Sequence, residues 1–289
     1  MTTELADVQD QVQKFWSPLF VAELIESNPI VALLNRDYDG AIVNGGDTVR
    51  VSQIKRPAGE TLTIGAAGDS SFTTEKLQTA YVDVKADKRF VASFDMEDLV
   101  GLQSQLGDKD SEIRQAMVET VNIQLNNHIY SLVAPAVSNI FTGVASLTAG
   151  DISSYRRIAG KEKWSKAKGW YGLLGSDYYG DALDETTLNS TDFVNEQPTV
   201  GGEIMTRRYG FNLIEDNSEG LASLAPITEK AGIFFHPDFM YLVMQMMPRF
   251  KVSDKHVIGE FGFKISLDMI GGSKIGLEGD VKHITVIDS

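Results

Sequence analysis

The sequence contains no cysteine. That removes disulfides, thiolate nucleophiles and cysteine-ligated zinc from its possible chemistry. Histidine is scarce, with four in 289 residues: His128, His236, His256 and His283. No two stand at metal-ligand spacing, and none stands beside a serine or carboxylate in a recognisable triad order. A satisfied structural role is the better reading for each. Positive charge is in deficit, since 26 Lys and Arg face 40 Asp and Glu, a net charge of −14. Recognition of nucleic acid through its phosphates needs a basic face, so general DNA affinity is not expected. Long apolar runs are missing as well. The greasiest segment, Phe239 to Met247, contains Gln245 and is far shorter than the ~20 residues that cross a bilayer. The first residues carry Glu4, Asp7 and Asp10 without a basic stretch. They do not read as a secretory signal, and a soluble protein, intracellular at synthesis, is expected.

What is present describes a folded chain. Apolar residues make up 43% and charged residues 23%, ordinary values for a globular protein. The length allows two domains' worth of core at roughly 150 residues per domain.

Leu5, Val8, Val12 and Phe15 recur at helical spacing. Pro18 stops that helix or opens a second, capped by Ser17, whose apolar residues end at Asn28-Pro29. This pair of helices either packs on its own domain or reaches a neighbouring molecule. Residues 47–54 alternate as a strand, with Val49 and Val51 on one face, and the alternation resumes from Tyr81 to Phe94. Between them, residues 55–78 are rich in Gly, Ser, Thr and Ala. The pattern predicts a long antiparallel ribbon. Hairpin loops are mostly 2–5 residues, and an isolated ribbon is marginal in water. The ribbon is therefore expected to pack against something outside its own domain.

Residues 108–133 predict a long helix. Gly107-Asp108 offers an N-cap, and Ile113, Met117, Val121, Leu125, Ile129 and Leu132 form its apolar stripe. Pro135 ends the pattern. Residues 151–250 read as a mixed α/β domain. Asp151 or Ser153 caps a helix running to about Ala167. Strands follow at Trp170–Gly175, around Tyr209-Gly210, and at Gly232–His236, and Phe239 to Met247 reads as a buried helix. Residues 251–289 alternate as terminal strands through Ile258, Phe261, Phe263, Ile265, Leu267, Ile275, Leu277, Ile284 and Val286.

No motif for catalysis, metal or cofactor emerges. Asp108, Asp110 and Glu112 lack the glycine and distal glutamate of a calcium loop, and acids in a first turn are explained by the helix dipole. Gly271 and Gly276 have phosphate-loop spacing, but Leu277-Glu278 replace the required Lys-Ser/Thr, so a turn between strands is expected. Charge is patterned in the middle of the chain. Arg156, Arg157, Lys161, Lys163, Lys166 and Lys168 cluster against one acid, Glu162. Asp177, Asp181, Asp184, Glu185, Asp192 and Glu196 follow with no base among them. These are either solvated faces or complementary surfaces of adjacent copies.

The N-terminal stretch carries a resemblance. Trp16 leads through Ser27-Asn28-Pro29-Ile30-Val31 and Leu33-Leu34 into Asn35-Arg36-Asp37-Tyr38-Asp39-Gly40. Then come Gly45-Gly46-Asp47-Thr48-Val49-Arg50-Val51 and the ribbon. This resembles the start of a tailed-phage major capsid protein of the Hong Kong 97 type, and the later element order agrees along nearly the whole chain. The resemblance implies an α+β fold with an N-terminal arm (1–36) and an extended loop (47–95, tip 55–78). It implies a peripheral domain (96–150 and 251–289) with spine helix 108–133, and an axial domain (151–250). It further implies a shell protein, not an enzyme, without cofactors or metals. Copies would assemble into hexamers and pentamers of an icosahedral head around double-stranded DNA, which is enclosed without sequence-specific binding. An acidic wall suits that task, because the genome must not stick to it.

The implied partners are copies of the chain and scaffolding, portal and decoration proteins. No membrane is involved, and the implied location is the virion, after assembly in the host cytoplasm. Expected inter-subunit contacts are the arm residues Phe15 and Trp16 and the ribbon residues Leu62, Ile64 and Phe72. To these we add the charged Arg156, Arg157, Lys163, Lys166, Asp181, Asp184 and Glu185. Some family members join a ribbon lysine to a neighbour's asparagine. Lys55 and Lys76 flank the tip here, but no asparagine partner or supporting carboxylate is identifiable, and no cross-link is expected. An encapsulin-like compartment shell of the same fold is the alternative. A soluble α/β enzyme is a more distant one, since it would need a convergent polar pocket.

Overall fold

A computed structural model describes residues 29–39, 48–64, 74–97, 110–133, 139–189, 205–257 and 260–288. The expectations for residues 1–28, including Phe15 and Trp16, for Phe72 at the ribbon tip and for the Asp108 cap lie outside the described residues.

In chain order the elements begin with α1 (Ile30–Leu33), β1 (Thr48–Ile54), β2 (Thr79–Lys85), β3 (Lys88–Glu97), α2 (Asp110–Val133), β4 (Ile140–Thr142) and α3 (Ala149–Lys161). There follow β5 (Tyr171–Leu174), α4 (Ser176–Asp184), α5 (Thr186–Asn189), β6 (Met205–Arg208), β7 (Phe211–Glu215), α6 (Glu219–Ala222) and β8 (Ala231–Phe235). The chain ends with β9 (Met240–Val257), β10 (Glu260–Ile275) and β11 (His283–Ile287). Short 3₁₀ turns at Pro237–Phe239 and Gly279–Val281 lead into β9 and β11.

Contacts divide the chain into two units. The larger holds Glu26–Phe90, Asn122–Pro248 and Met269–Ser289. Its centre is a six-stranded sheet in the order β4-β11-β8-β5-β7-β6. The β11–β4 and β5–β7 pairs are parallel, and the β11–β8, β5–β8 and β6–β7 pairs are antiparallel. All five residues of β8 are buried, as are four of the five in β11. Strands covered on both faces read as continuous apolar runs, without alternation. α3 and α4 bury Ile152, Tyr155, Tyr178, Tyr179 and Ala182 in one core with Trp164, Trp170, Leu174, Phe211, Phe234 and Ile284. Because β4 and β11 share this sheet with β5 to β8, it draws residues from both sides of the expected 150/151 and 250/251 boundaries.

The helix expected from Asp151 or Ser153 to Ala167 starts earlier and stops sooner. Its cap is Thr148, whose hydroxyl accepts from the Asp151 N–H while the Asp151 carboxylate accepts from the Thr148 N–H. That reciprocal box satisfies two orphan donors and fixes the first turn. The helix ends at Lys161 because Lys163 takes a left-handed backbone (φ 56°). The chain is then turned so that Trp164 enters the core.

The expected helix Phe239–Met247 is instead the start of the long strand β9. Met240 through Met244 are all buried. A continuous apolar run carries no period to separate a two-sided buried strand from a buried helix. The backbone bonds of this segment go elsewhere: the N–H of Leu242 donates to the carbonyl of Asn35. Likewise Gly271, read as part of a turn, lies inside β10. A Cβ there would stand 2.7 Å from the Met244 sulfur, so packing accounts for that glycine.

Helix α2 begins by Asp110 and ends at Val133, as expected apart from its cap. At ~1.5 Å per residue it is about 36 Å long. Met117, Val121, Leu125, Ile129 and Val133 are buried, so the stripe ends on Val133 and Leu132 is half-buried.

The smaller unit gathers Val91–Val121 and Arg249–Asp268 among the described residues. Within it the Arg249 guanidinium makes a two-point ion pair with Asp268, at 2.8 and 3.3 Å. The Arg114 guanidinium lies 5.3 Å from the centre of the Phe250 ring. β3, β10 and β9 pair in that order as a second sheet.

Candidate interaction surface

The ribbon forms as the alternation predicted. β1 and β2 pair antiparallel from Thr48↔Lys85 to Ile54↔Thr79, and the N–H of Lys55 donates to Gln78 to close the last rung. The tip therefore begins at residue 55 and ends at 78. The single strand expected from Tyr81 to Phe94 is two strands, β2 and β3, in different sheets with a break at Ala86-Asp87.

Among the described residues, only the root of the ribbon has a core. Val51, Val84 and Ala86 are buried against Tyr241 and Val243, with Tyr38, Val49, Val82 and Ile270 around them. Beyond Val51 every described residue through Thr79 is exposed. Among these, Ile64 is 97% exposed, Leu77 74% and Ile54 66%, while Leu62 is 37% exposed. Ile54, Leu77 and Tyr81 were not singled out from the sequence, although the signal was available: an isolated ribbon has no inner face, so both sets of alternating residues are outward. On the ribbon stem Arg50 forks onto Asp83 at 2.7 and 2.9 Å and lies 4.2 Å over the Tyr81 ring. The hydrogen bond from Arg50 holds the Asp83 carboxyl below its ordinary range.

The root is tied to residues 35–39. Asn35 bridges to Tyr241 in parallel fashion, and the Met244 N–H donates to the Asp39 carboxylate at 3.0 Å. Lys168 reaches both Asp37 and Asp238, each at 3.0 Å, and Asn35 donates to the same Asp238 oxygen at 2.5 Å. Burial alone would raise the Asp238 pKa, but the bonds from Lys168 and Asn35 outweigh it and hold the carboxyl below its usual range.

The charged residues of α3 and α4 take two faces. Arg156, Arg157, Lys161, Lys163 and Lys166 are exposed. Arg156 donates to the Tyr209 carbonyl at 2.9 Å. On α4, Asp177 and Asp184 are exposed and Asp181 is half-buried, accepting from the Leu147 N–H. Glu185 is half-buried and accepts from Thr187. Lys168 stands apart from the other bases, since its charge is spent on Asp37 and Asp238.

The described histidines have structural surroundings. His128 is partly buried beside Phe90, and burial lowers its pKa. His236 is buried, its Nδ1 accepting from the Asp238 N–H, and burial lowers its pKa too. His283 is buried with Nδ1 2.9 Å from the Gly279 carbonyl. No group of three metal-ligating side chains occurs among the described residues. A cleft of about 430 Å³ carries Ser218, Glu219 and Glu229, with Asn217, Ala222, Ser223 and Pro226 as the rest of its lining. No described helix is long and apolar enough to cross a membrane.

No protein-family model matches the sequence, and no curated protein matches it. Solved structures do. A chain from Mycobacterium phage Che8 superposes with a TM-score of 0.74 at 17% identity, over 95% of this chain and 96% of that one. A chain of the capsid structure of cyanophage P-SCSP1u gives 0.74 at 14% identity, over 98% and 94%. A chain of the cyanophage Pam1 capsid asymmetric unit gives 0.66 at 10%, over 99% and 98%. The chain has the Hong Kong 97-type capsid fold. At these identities the likeness lies in backbone architecture. It extends from end to end of the capsid fold, so the ribbon, the long helix and the sheet belong to one shared plan.

Proposed function

We propose that the chain is a major capsid protein of a tailed phage and that its working partner is itself. Copies join into hexamers and pentamers, which close into an icosahedral shell around double-stranded DNA. The protein acts by geometry and has no catalytic step. Heterologous contacts around rings, together with closure, build a finite particle from one repeated kind of interface. Scaffolding, portal and decoration proteins are its further partners, and the virion, assembled in the host cytoplasm, is its location. Residues 1–36 are the arm, 47–95 the extended loop, 96–150 and 251–289 the peripheral domain, and 151–250 the axial domain, with β4 and β11 lending strands to the axial sheet.

The observation that carries this reading is the ribbon. Every described residue from Ser52 through Thr79 is exposed, including the large apolar side chains of Ile54, Ile64 and Leu77. Exposed apolar groups on a thin projection mark an interface, and a two-stranded ribbon needs a third surface to be stable. A neighbouring copy supplies it, with Leu62, Ile64 and Phe72 on the ribbon and Phe15 and Trp16 on the arm making the contact. The arm residue Trp16 and the ribbon tip thus carry the largest apolar groups of the contact.

Negative-stain electron microscopy of the purified chain, alone and with a phage scaffolding protein, tests the proposal. Closed polyhedral shells, or rings of five and six, are expected. Particles isolated from their source should contain double-stranded DNA, and enzyme cargo in its place would make the protein a compartment shell of the same fold. A chain that stays monomeric under all these conditions refutes the shell reading.

A further inference from the structure

Two charged faces of the larger unit have no counterpart among the described residues. On α3, Ile152, Tyr155 and Ala159 point into the core. At ~100° per residue, Arg157 and Lys161 then lie on the opposite side of the helix. The stripe continues into the following turn with Lys163 and Lys166, all four being exposed, with Glu162 the one acid among them. None of these four bases makes an ion pair or side-chain hydrogen bond among the described residues.

The turn that presents Lys163 and Lys166 is held on both sides. The Trp164 indole N–H donates to the Val281 carbonyl at 2.8 Å, and the Trp170 indole N–H donates to Ser165 at 2.9 Å. The two rings pack edge to face at 6.0 Å. The N–H of Gly169 closes the turn onto Lys166. Its bases are thus displayed from a fixed backbone, which lowers the ordering cost of any contact they make. The hairpin tip Tyr209, 38% exposed and in a left-handed backbone (φ 48°), is tied to α3, its carbonyl accepting from Arg156.

The acidic face lies on α4. Asp177, Asp181 and Asp184 recur at i, i+4 and i+7 and form one stripe, with Glu185 at its end. α4 has no base in its last turn. Like charges at i, i+4 weaken a helix, and an acid at a helix C-terminus opposes the dipole. Asp184 is therefore unfavourable where it stands in the isolated subunit, and Asp177 and Asp184 have no ion-pair partner among the described residues.

We infer that, around a ring of copies, the basic face of Arg157, Lys161, Lys163 and Lys166 docks on the acidic α4 face of the next copy. This rests on the shell reading and specifies one of its contacts. The occupant of each face is a second copy, because every copy carries the complement of opposite charge at a fixed place on the same folded unit. In a chain of net charge −14, copies repel at long range, and a local basic face both offsets that repulsion and sets the register of the ring. Tyr209, tied to α3, adds an aromatic anchor.

Two triple variants of the full chain test this. Lys161→Glu, Lys163→Glu and Lys166→Glu together make both faces acidic. Asp177→Lys, Asp184→Lys and Glu185→Lys together make both basic. Circular dichroism and melting temperature of each subunit report folding, and sedimentation with electron microscopy reports assembly. Each variant should fold like the parent and lose shells by about tenfold or more, as like charges face each other in every contact.

Co-expression of the two variants is the sharper arm. A ring of six can alternate them so that every contact joins opposite charges. A ring of five cannot, because five is odd. Six-membered rings should return while closed shells, which need five-membered rings, stay scarce. Either variant assembling at the parent's yield overturns the inference, as does a co-expression without rings when both partners are folded. Should a variant misfold, the salt dependence of the parent decides. The Debye length shrinks from about 10 Å at 0.1 M to about 3 Å at 1 M, so ring yield should fall with salt, and salt-independent rings overturn the inference. A parent chain that forms no rings under any condition refutes the shell reading itself, a different result from variants failing where the parent succeeds.

Discussion

Replacing Tyr130 by Phe removes one oxygen from a fully buried site and leaves the ring in place. That oxygen donates to Asp216 Oδ2 at 2.5 Å, while Asp216 Oδ1 accepts from the Ser218 N–H at 3.0 Å. Tyr130 is 0% exposed and Asp216 1%. The pair links helix α2 to the turn after β7, and the Ser218 hydroxyl then caps α6. No cavity forms, so the cost is that of a carboxylate losing one of its donors in a dry site. A hydrogen bond to a charged group contributes about 1.5–3 kcal/mol. In urea, with a slope of about 2–3 kcal/mol per molar for a protein of this size, the unfolding midpoint should drop by roughly 0.5–1.5 M.

The effect has a pH signature. Burial raises the Asp216 pKa above its ordinary value, and the bonds from Tyr130 and Ser218 only partly oppose this. For an acid with a raised folded pKa, the fold prefers the protonated form. Its contribution to stability is complete below the unfolded pKa, about 3.9, and is lost as pH rises through the folded value. Without the Tyr130 hydroxyl the folded pKa climbs further, so the variant loses more on the way up. Its deficit should be largest near pH 7 and shrink toward pH 4, read from urea titrations of parent and variant at both. A deficit at pH 7 below about 0.5 kcal/mol would refute the argument, since it would mean that the bond does not offset the burial of the charge. A deficit unchanged with pH would show that Asp216 is not ionised in the fold.

Ile64→Ser with Leu77→Ser should leave the melting temperature of the isolated subunit within about 1 °C, because both side chains are exposed and exposed substitutions change little, yet abolish shells in the assembly assay. Lys168→Met breaks the ties to Asp37 and Asp238, which are 70% and 27% exposed at their side chains. It should cost about 0.5–1 kcal/mol by thermal melting, and the loss should fade in high salt. Gly272→Ala would place a Cβ 1.9 Å from the Lys85 carbonyl oxygen at the ribbon root. The backbone must shift there, and a cost of about 1–3 kcal/mol in denaturant titration is expected, with protease sensitivity rising around Lys85.

Legibility in the sequence followed periodicity. β1 and β2 alternate because the ribbon root has one buried face, and α2 shows its stripe because Met117, Val121, Leu125 and Ile129 face one side. Where an element is buried on every side the period vanishes, which is why Met240–Met244 read as a helix and folded as a strand. The Thr148 cap was missed for a different reason. Asp151 and Ser153 are both good caps, and only the reciprocal bond between Thr148 and Asp151 decides the start. Of the exposed apolar residues on the ribbon, Leu62 and Ile64 were legible from the length of the tip alone. Alternation read as one buried face passes over Ile54, Leu77 and Tyr81, although a ribbon with no sheet behind it exposes both.

The two surfaces suit different demands on a shell. A contact repeated identically around every ring gains from rigidity, since the ordering cost is then met once in folding and not again in each association. The turn at Lys163–Lys166 has that character, fixed by two indole hydrogen bonds and a left-handed backbone. A contact that meets different neighbours in five-fold and six-fold surroundings gains from compliance. On the shell reading the ribbon meets that demand: its described core lies at its root, at Val51, Val84 and Ala86, and every described residue from Ser52 through Thr79 is exposed. Gly272 in β10 lets the ribbon root approach the sheet more closely than any side chain would permit, so the base of the compliant element is held while its far end is left to the neighbour. On the shell reading, changes in the rigid turn should therefore act on ring formation. Changes in the ribbon should act on how rings join and close, and the two defects separate by whether free rings accumulate.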